Sequence, residues 1–254
     1  SSGNFILPAN ASGTFVADQT EVIYYYVEKE IPLVVHHYIE GTEESVPLAT
    51  GGVAEDEMYS GKKGEEYTTE ALSIDELSPA YEFTEVLGNA TGIYEGTDVE
   101  VTYYYKIKTF DITTKVDGEG GSISGQNENP YEEVEYNETN TKEIVITPEE
   151  GYEVEKITVN GEEIEFTPNR DNTVDLNKFT NITENKDIVV TFKKIEVTIV
   201  VRYFAVTNTG YEPVQLQDGS YAEGLTFTTE YGNQYATKEL ENVNENYYLE
   251  EIPE

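Results

Sequence analysis

The chain has 254 residues, no cysteine, and 51 acidic against 15 basic residues, for a formal charge of −36. That charge repels phosphate backbones and anionic headgroups and so excludes nucleic acid and membrane surfaces as partners; the missing cysteines exclude disulfide frameworks and thiolate metal sites. With 37% hydrophobic residues, 21 Tyr and 9 Phe, the chain can still bury cores, and its length suits two or three modest domains.

Val, Ile, Thr and Tyr in short alternating runs predict an all-β chain of small tandem domains with little helix. No leader, anchor or apolar run of about 20 residues stands in the sequence, so export and attachment signals are expected outside this segment. In chain order, residues 1–28 come first and end in GTFVADQTEVIYYYV, from Gly13 to Val27. The same pattern returns without gaps as GIYEGTDVEVTYYYK, from Gly92 to Lys106, at a constant offset of 79. Phe15 thus pairs with Tyr94, Val22 with Val101, and Tyr24, Tyr25 and Tyr26 with Tyr103, Tyr104 and Tyr105.

The second segment, residues 33–107, holds that motif as its closing strand and opens with LVVHHYIEG. Within it SIDELS, from Ser73, carries the start of a capping box and predicts one short helix. Residues 109–194 form a separate domain, with strands expected near 110–116, 143–147, 154–159, 162–166 and 187–193. Asn160-Gly161 between two of these predicts a hairpin, because a type I′ turn needs positive φ at both central positions.

The last segment, residues 195–254, repeats the beginning of the second: IVVRYFAVT near Ile199 matches LVVHHYIEG, GNQYATKEL from Gly232 matches GEEYTTEAL from Gly64, and YYLEEI from Tyr247 matches YEFTEV from Tyr81. It then stops short of a closing strand. Residues 195–254 followed by 1–28 reconstitute a whole unit, with 15 positions from Ile252 to Gly13 where the complete unit has 6 from Val86 to Gly92. Two explanations follow: a tandem array of which this chain is one period, or a subunit whose N-terminal strand completes the open domain of its neighbour by donor-strand complementation. Phe15, Val22, Tyr24 and Tyr26 would be the assembly strand's inward residues.

The opening VV.HY strand, GEEYTT, YEF and the closing V.VTYYY of residues 33–107 resemble the MucBP (mucin-binding-protein) repeat family. The resemblance implies small β-grasp-like modules of the kind found on Gram-positive surface adhesins, some of which engage mucins. Gly120 to Ile123, Gly151-Tyr152, Val159 to Gly161 and Phe192 resemble a bacterial surface repeat found beside listerial-type β-grasp repeats. Together they imply an extracellular, cell-surface adhesin or stalk.

Sites for chemistry are scarce. His36 and His37 are adjacent on a strand and point to opposite faces, so they cannot line one centre. Carboxylate pairs in so acidic a chain say nothing about acid–base catalysis, and the chain is expected to be no enzyme. Glu55-Asp56-Glu57 and Asp171-Asn172 with Asp175 offer oxygen ligands for Ca²⁺ but lack an ordered calcium-loop spacing, so no cofactor or metal is expected. In VEVTYYY, Val99, Val101, Tyr103 and Tyr105 share the core face, leaving Thr102 and Tyr104 on the other. Tyr25 and Tyr104 are therefore the candidate contacts for a glycan or a host or neighbour-cell surface protein. Asn10, Asn89, Asn137 and Asn181 head Asn-x-Ser/Thr sequons and would carry glycans only in a cell that makes that modification. A Lys–Asn isopeptide crosslink is compatible with the composition, although no triplet is identifiable from sequence.

Overall fold

The computed structural model describes residues 11–14 and 21–249; Asn10 and Phe15 lie outside the described residues. Regular structure among these residues is β, in several small sheets. The chain divides into two units, Ser1–Lys108 and Thr109–Glu254.

The first unit is built from β1 (Glu30–Ile39), β2 (Glu57–Lys62), β3 (Glu66–Thr68), β4 (Tyr81–Leu87), β5 (Thr91–Ile93) and β6 (Val99–Ile107). Its main sheet runs β2-β1-β6-β4, with β1 and β6 parallel at the centre and both edge strands antiparallel to their neighbours. This is a β-grasp-like arrangement without a helix across the sheet. Alternation on β1 sends Ile31, Leu33 and Val35 inward, and on β6 Val101, Tyr103 and Tyr105, where they pack with Val46, Leu77 and Tyr94. At roughly 25 cal/mol per Å² of apolar surface removed from water, these side chains supply most of the drive for the sheet to close over its loops.

Thr102, on the face opposite Tyr103, is buried, because β1 places His36 and β4 places Leu87 in register on either side of it. One expectation needs correcting here. The stretch from Ser73 makes one turn and no helix. Its capping bonds do form, with Glu76 Oε2 accepting from Ser73 N at 2.9 Å and Ser73 Oγ at 2.7 Å. A single turn cannot repay helix nucleation, and Leu77 leaves it to bridge Leu48.

The second unit begins with β7 (Thr109–Val116), β8 (Gly121–Ile123), β9 (Glu132–Glu135), β10 (Ile144–Pro148), β11 (Tyr152–Val159), β12 (Glu162–Glu163), β13 (Val174–Leu176) and β14 (Lys186–Lys194). The sheet β12-β11-β14-β7-β9 again has the domain's first and last strands, β7 and β14, parallel and adjacent, and a smaller sheet β13-β10-β8 closes its core. Ile112, Ile146, Ile157 and Ile188 fill that core. The hairpin forms at Asn160 and Gly161, with φ of 52° and 83°. Its second arm, β12, is only two residues long rather than 162–166, since it is an edge strand of exposed glutamates. The short strands β8, β9 and β13 are additions that no alternating run announced.

The chain continues into β15 (Glu196–Val201), β16 (Phe204–Thr207), β17 (Gly210–Pro213) and β18 (Leu225–Glu230), which form two two-stranded sheets, β15-β18 and β16-β17. This module is anchored to the preceding domain by backbone bonds from Ile195 N to Gly151 O and from Tyr231 N to Ile195 O, each 2.8 Å. The Tyr231 hydroxyl donates to Glu150 at 2.6 Å, which raises its pKa. The Tyr231 ring fills the space where a Cβ on Gly151 would stand, 2.5 Å away.

Candidate functional site

The two histidines do face apart. His37 is buried, stacked on Tyr103, with Nδ1 2.9 Å from the Tyr105 hydroxyl and Nε2 3.3 Å from Glu57. The Tyr105 hydroxyl also accepts the Leu72 N–H at 2.8 Å, and Tyr103 and Thr69 share a hydroxyl pair at 2.8 Å. Burial pushes the Tyr105 phenol up to about 12, against the opposing Leu72 bond. Phenol hydroxyls at the bottom of the core thus fix the loop ends 69–72, a role for the Tyr run that side-chain alternation alone did not reveal.

On the opposite face, His36 Nδ1 lies 2.7 Å from Asp56 and 2.8 Å from the Tyr38 hydroxyl, and its Nε2 is 3.4 Å from Glu100. Tyr104 is half-buried and not freely exposed as expected, because it lines an open cleft with Glu40, Thr42, Glu85, Val86 and Leu87. Asn89, Asn137 and Asn181 are exposed.

Among the described residues no group of three or more His, Asp or Glu is placed to hold a metal ion. Four of the carboxylates considered for calcium have other partners: Asp56 has His36, Glu57 has Tyr59 and His37, Asp171 accepts from Thr173 Oγ1 at 2.8 Å, and Asp175 accepts from Asn169 at 3.0 Å.

Residues 21–29 form no strand. Tyr25 is 88% exposed, and Val22, Tyr24 and Tyr26 are exposed as well. The C-terminal module repeats the frame of the first unit closely. Pairing of β15 with β18 runs from Glu196↔Glu230 to Val201↔Leu225, the same register as Glu30↔Lys62 to Val35↔Glu57 for β1 and β2. Loop bonds recur too: Ala222 N to Val214 O matches Ala54 N to Val46 O, Gln217 N to Asn242 O matches Ala49 N to Glu76 O, and Tyr247 N to Asn244 O matches Tyr81 N to Ser78 O. Among the described residues no counterpart of β6 pairs with β15. β1 continues unbroken to Ile39 along β6, whereas the equivalent stretch breaks at Arg202 and Tyr203.

The MucBP domain model matches residues 3–27 and 37–106. Internalin J of Listeria monocytogenes serotype 4b is 33% identical over 101 residues, 39% of this chain and 10% of its own length; Internalin J of serovar 1/2a is 32% identical over the same share of this chain and 11% of its own. The chain therefore spans about a tenth of the length of the curated relatives it matches. Among solved structures, the streptococcal high identity repeats in tandem (SHIRT) domains 3–4 of a cell surface protein align with 64% of this chain and 98% of their own, at 13% identity and a TM-score of 0.25, too slight a likeness to carry an argument. Residues 3–27 and 37–106 are thus similar to the MucBP domain family.

Proposed function

We propose that this chain is an extracellular repeat segment of a cell-surface adhesin or stalk, presenting β-domains for attachment to a glycan or to a host or neighbour-cell surface protein. The MucBP match at residues 37–106 carries the reading. The sheet plan supports it. In each complete domain the first and last strands lie parallel and adjacent, so the chain enters at one end and leaves at the other, and a pull along the chain loads the whole central ladder in shear. The ligand contacts are Tyr104 in its acidic cleft and the exposed Tyr25. Both are aromatic faces of the kind sugars stack on. The test is binding of the chain to immobilised mucin glycoprotein and to a panel of neutral and sialylated glycans. Tyr25→Ala with Tyr104→Ala should weaken capture at least tenfold while leaving the fold intact; undiminished capture by the double variant would remove these residues from the site.

A second reading is favoured by one observation, the match of residues 13–27 to the closing strand and of residues 199–254 to the opening part of the 33–107 unit. On that reading the chain is a structural subunit of a surface fibre or pilus-like filament, assembled head to tail by donor-strand complementation.

A further inference from the structure

We infer that Asn160-Gly161 is a latent modification site. When the segment that holds its side chain lets go, Asn160 converts through a succinimide to aspartate or isoaspartate, and the turn thereby marks a domain that has been opened. The site belongs to the domain of residues 109–194 and is independent of any ligand the chain binds.

The residues at the turn set the chemistry. Attack by a backbone nitrogen on the preceding side-chain amide is hindered by the Cβ of the residue that supplies the nitrogen, and glycine has none. Asn160 is the one asparagine in the chain followed by glycine. Asn137, Asn172, Asn181 and Asn242 also take positive φ, but Glu, Thr, Ile and Val follow them. Water balances the reaction. Gly161 N gives its proton to hydroxide and bonds to Asn160 Cγ, the Cγ–Nδ2 bond breaks, and that nitrogen leaves as ammonia. Water then opens the five-membered ring at one carbonyl to give aspartate, or at the other to give isoaspartate.

In the folded domain the reacting amide is held at both ends. Its Oδ1 accepts from Asp187 N at 2.8 Å, and its Nδ2 donates to Asn185 O at 2.9 Å and to Glu184 Oε1 at 3.3 Å. The Asn160 backbone N–H donates to Asp187 O at 2.8 Å. A planar group tied at its oxygen and its nitrogen cannot turn its carbon toward Gly161 N without releasing both. Its partners are fixed from their other side as well. Asn185 Oδ1 accepts from Asp111 N at 3.0 Å, and Asp187 Oδ1 accepts from Thr113 Oγ1 at 2.9 Å, so the start of β14 is clamped between β7 and the turn. Asn160 and Gly161 are both exposed. Water therefore reaches the turn, and these bonds rather than burial protect it.

The product does not fit the same clamp. A carboxylate at position 160 still accepts from Asp187 N but has no hydrogen for Asn185 O. It also stands against Glu184, which the Lys186 ammonium at 2.7 Å holds ionised with its pKa below the usual carboxylate range. Isoaspartate puts an extra main-chain carbon into a two-residue turn whose flanking pairs are Val159↔Glu162 and Thr158↔Glu163, and turn length fixes that register. Opening is reversible before the reaction and leaves a weakened edge after it.

The experiment incubates the full chain at about pH 9 in buffer and in urea and follows the peptide that contains Asn160 by mass spectrometry, where conversion adds about 1 Da. Conversion in urea should run at least about 100-fold faster than in the folded chain, and Gly161→Ala should slow it about tenfold in urea through the added Cβ. Asn185→Ala removes the acceptor of Asp111 N and loosens the clamp; it should raise the folded-state rate about tenfold while exchange of β10, in the same domain, stays unchanged. Asn160→Asp mimics the product and should speed amide exchange of residues 157–163 and 185–188 about fivefold or more, again against β10. Similar rates in buffer and urea would overturn the clamp, as would a folded Asn185→Ala chain that converts no faster than the parent. Absence of conversion in urea would overturn the reactive turn. Parent-like exchange in Asn160→Asp would overturn the lasting mark.

Discussion

Tyr105→Phe tests whether phenol hydroxyls in the core hold the first unit's loop to its sheet. The ring is fully buried and Phe fills the same space, so the change removes one oxygen and little packing. That oxygen accepts the Leu72 N–H at 2.8 Å and stands 2.9 Å from His37 Nδ1. Removing it leaves a backbone donor and a ring nitrogen without their partner, at a cost of about 1–3 kcal/mol. Tenfold per 1.4 kcal/mol converts this to about 5- to 150-fold faster amide exchange for β1, β6 and residues 69–77. The expected drop in melting temperature is about 4–8 °C per kcal/mol for a domain of this size. Exchange is measured by mass spectrometry on the full chain, with β7 and β14 as an internal standard and Tyr104→Phe, on the other face, as the control. The same residue sets an alkaline limit. Burial raises its pKa from 10 to about 12, so the folded state favours the neutral phenol. The associated stability is complete below pH 10 and is lost as pH rises from 10 to 12, about 3 kcal/mol in all. Tyr105→Phe should abolish that dependence. Exchange within twofold of the parent at pH 7, together with an unchanged alkaline profile, would refute the assignment.

Gly61→Ala should destabilise the first unit by about 1–3 kcal/mol, because a Cβ there would run into the buried Tyr94 ring and force the core apart; thermal denaturation of the full chain reads the loss. Burial pushes the Glu132 carboxyl up, but bonds from Thr141 N and Oγ1 and Lys142 N outweigh it and hold its pKa below 4.5. Its contribution is therefore present above the unfolded pKa and lost as pH falls through the lower folded value. Glu132→Gln should speed exchange of residues 136–142 about tenfold at pH 7, the equivalent of one charge-assisted bond of about 1.5 kcal/mol, and the gap should narrow on acidification. Millimolar calcium should leave the melting temperature within about 1 °C of that in chelator, since Asp56, Glu57, Asp171 and Asp175 are already engaged; a rise of several degrees would establish a calcium site.

Much of the fold was legible because it rests on period-two burial and turn chemistry. Val101, Tyr103 and Tyr105 fall on the core face as their alternation requires, and Asn160-Gly161 makes its hairpin because both residues tolerate positive φ. The β-class was readable for the same reason, whereas the MucBP resemblance rested on the particular motifs of residues 33–107. Tyr104 was harder: its cleft is made by β4 and the loop after β1, which meet β6 only in three dimensions. The bonds among His37, Tyr105 and Leu72 join residues 33 to 68 positions apart, and no local pattern encodes such a contact. Strands of two to four residues, such as β8, β9 and β13, are too short to show a period and exist because a longer neighbour offers a ladder.

The same dependence on neighbours explains the difference between the two halves of the repeat. β1 and the chain from Glu196 share register, apolar alternation and loop bonds, so their local preferences are alike. Antiparallel support from β2 and β18 ends at Val35 and Val201, respectively. Beyond that point β1 is held by β6 on one edge through Ile39 and by the Tyr38↔Ser45 bridge on the other. Phe204–Thr207 pairs with β17, and its Phe204↔Pro213 pair is the counterpart of that bridge, so the local turn chemistry after the opening strand forms in both copies, and the parallel neighbour is what distinguishes the first.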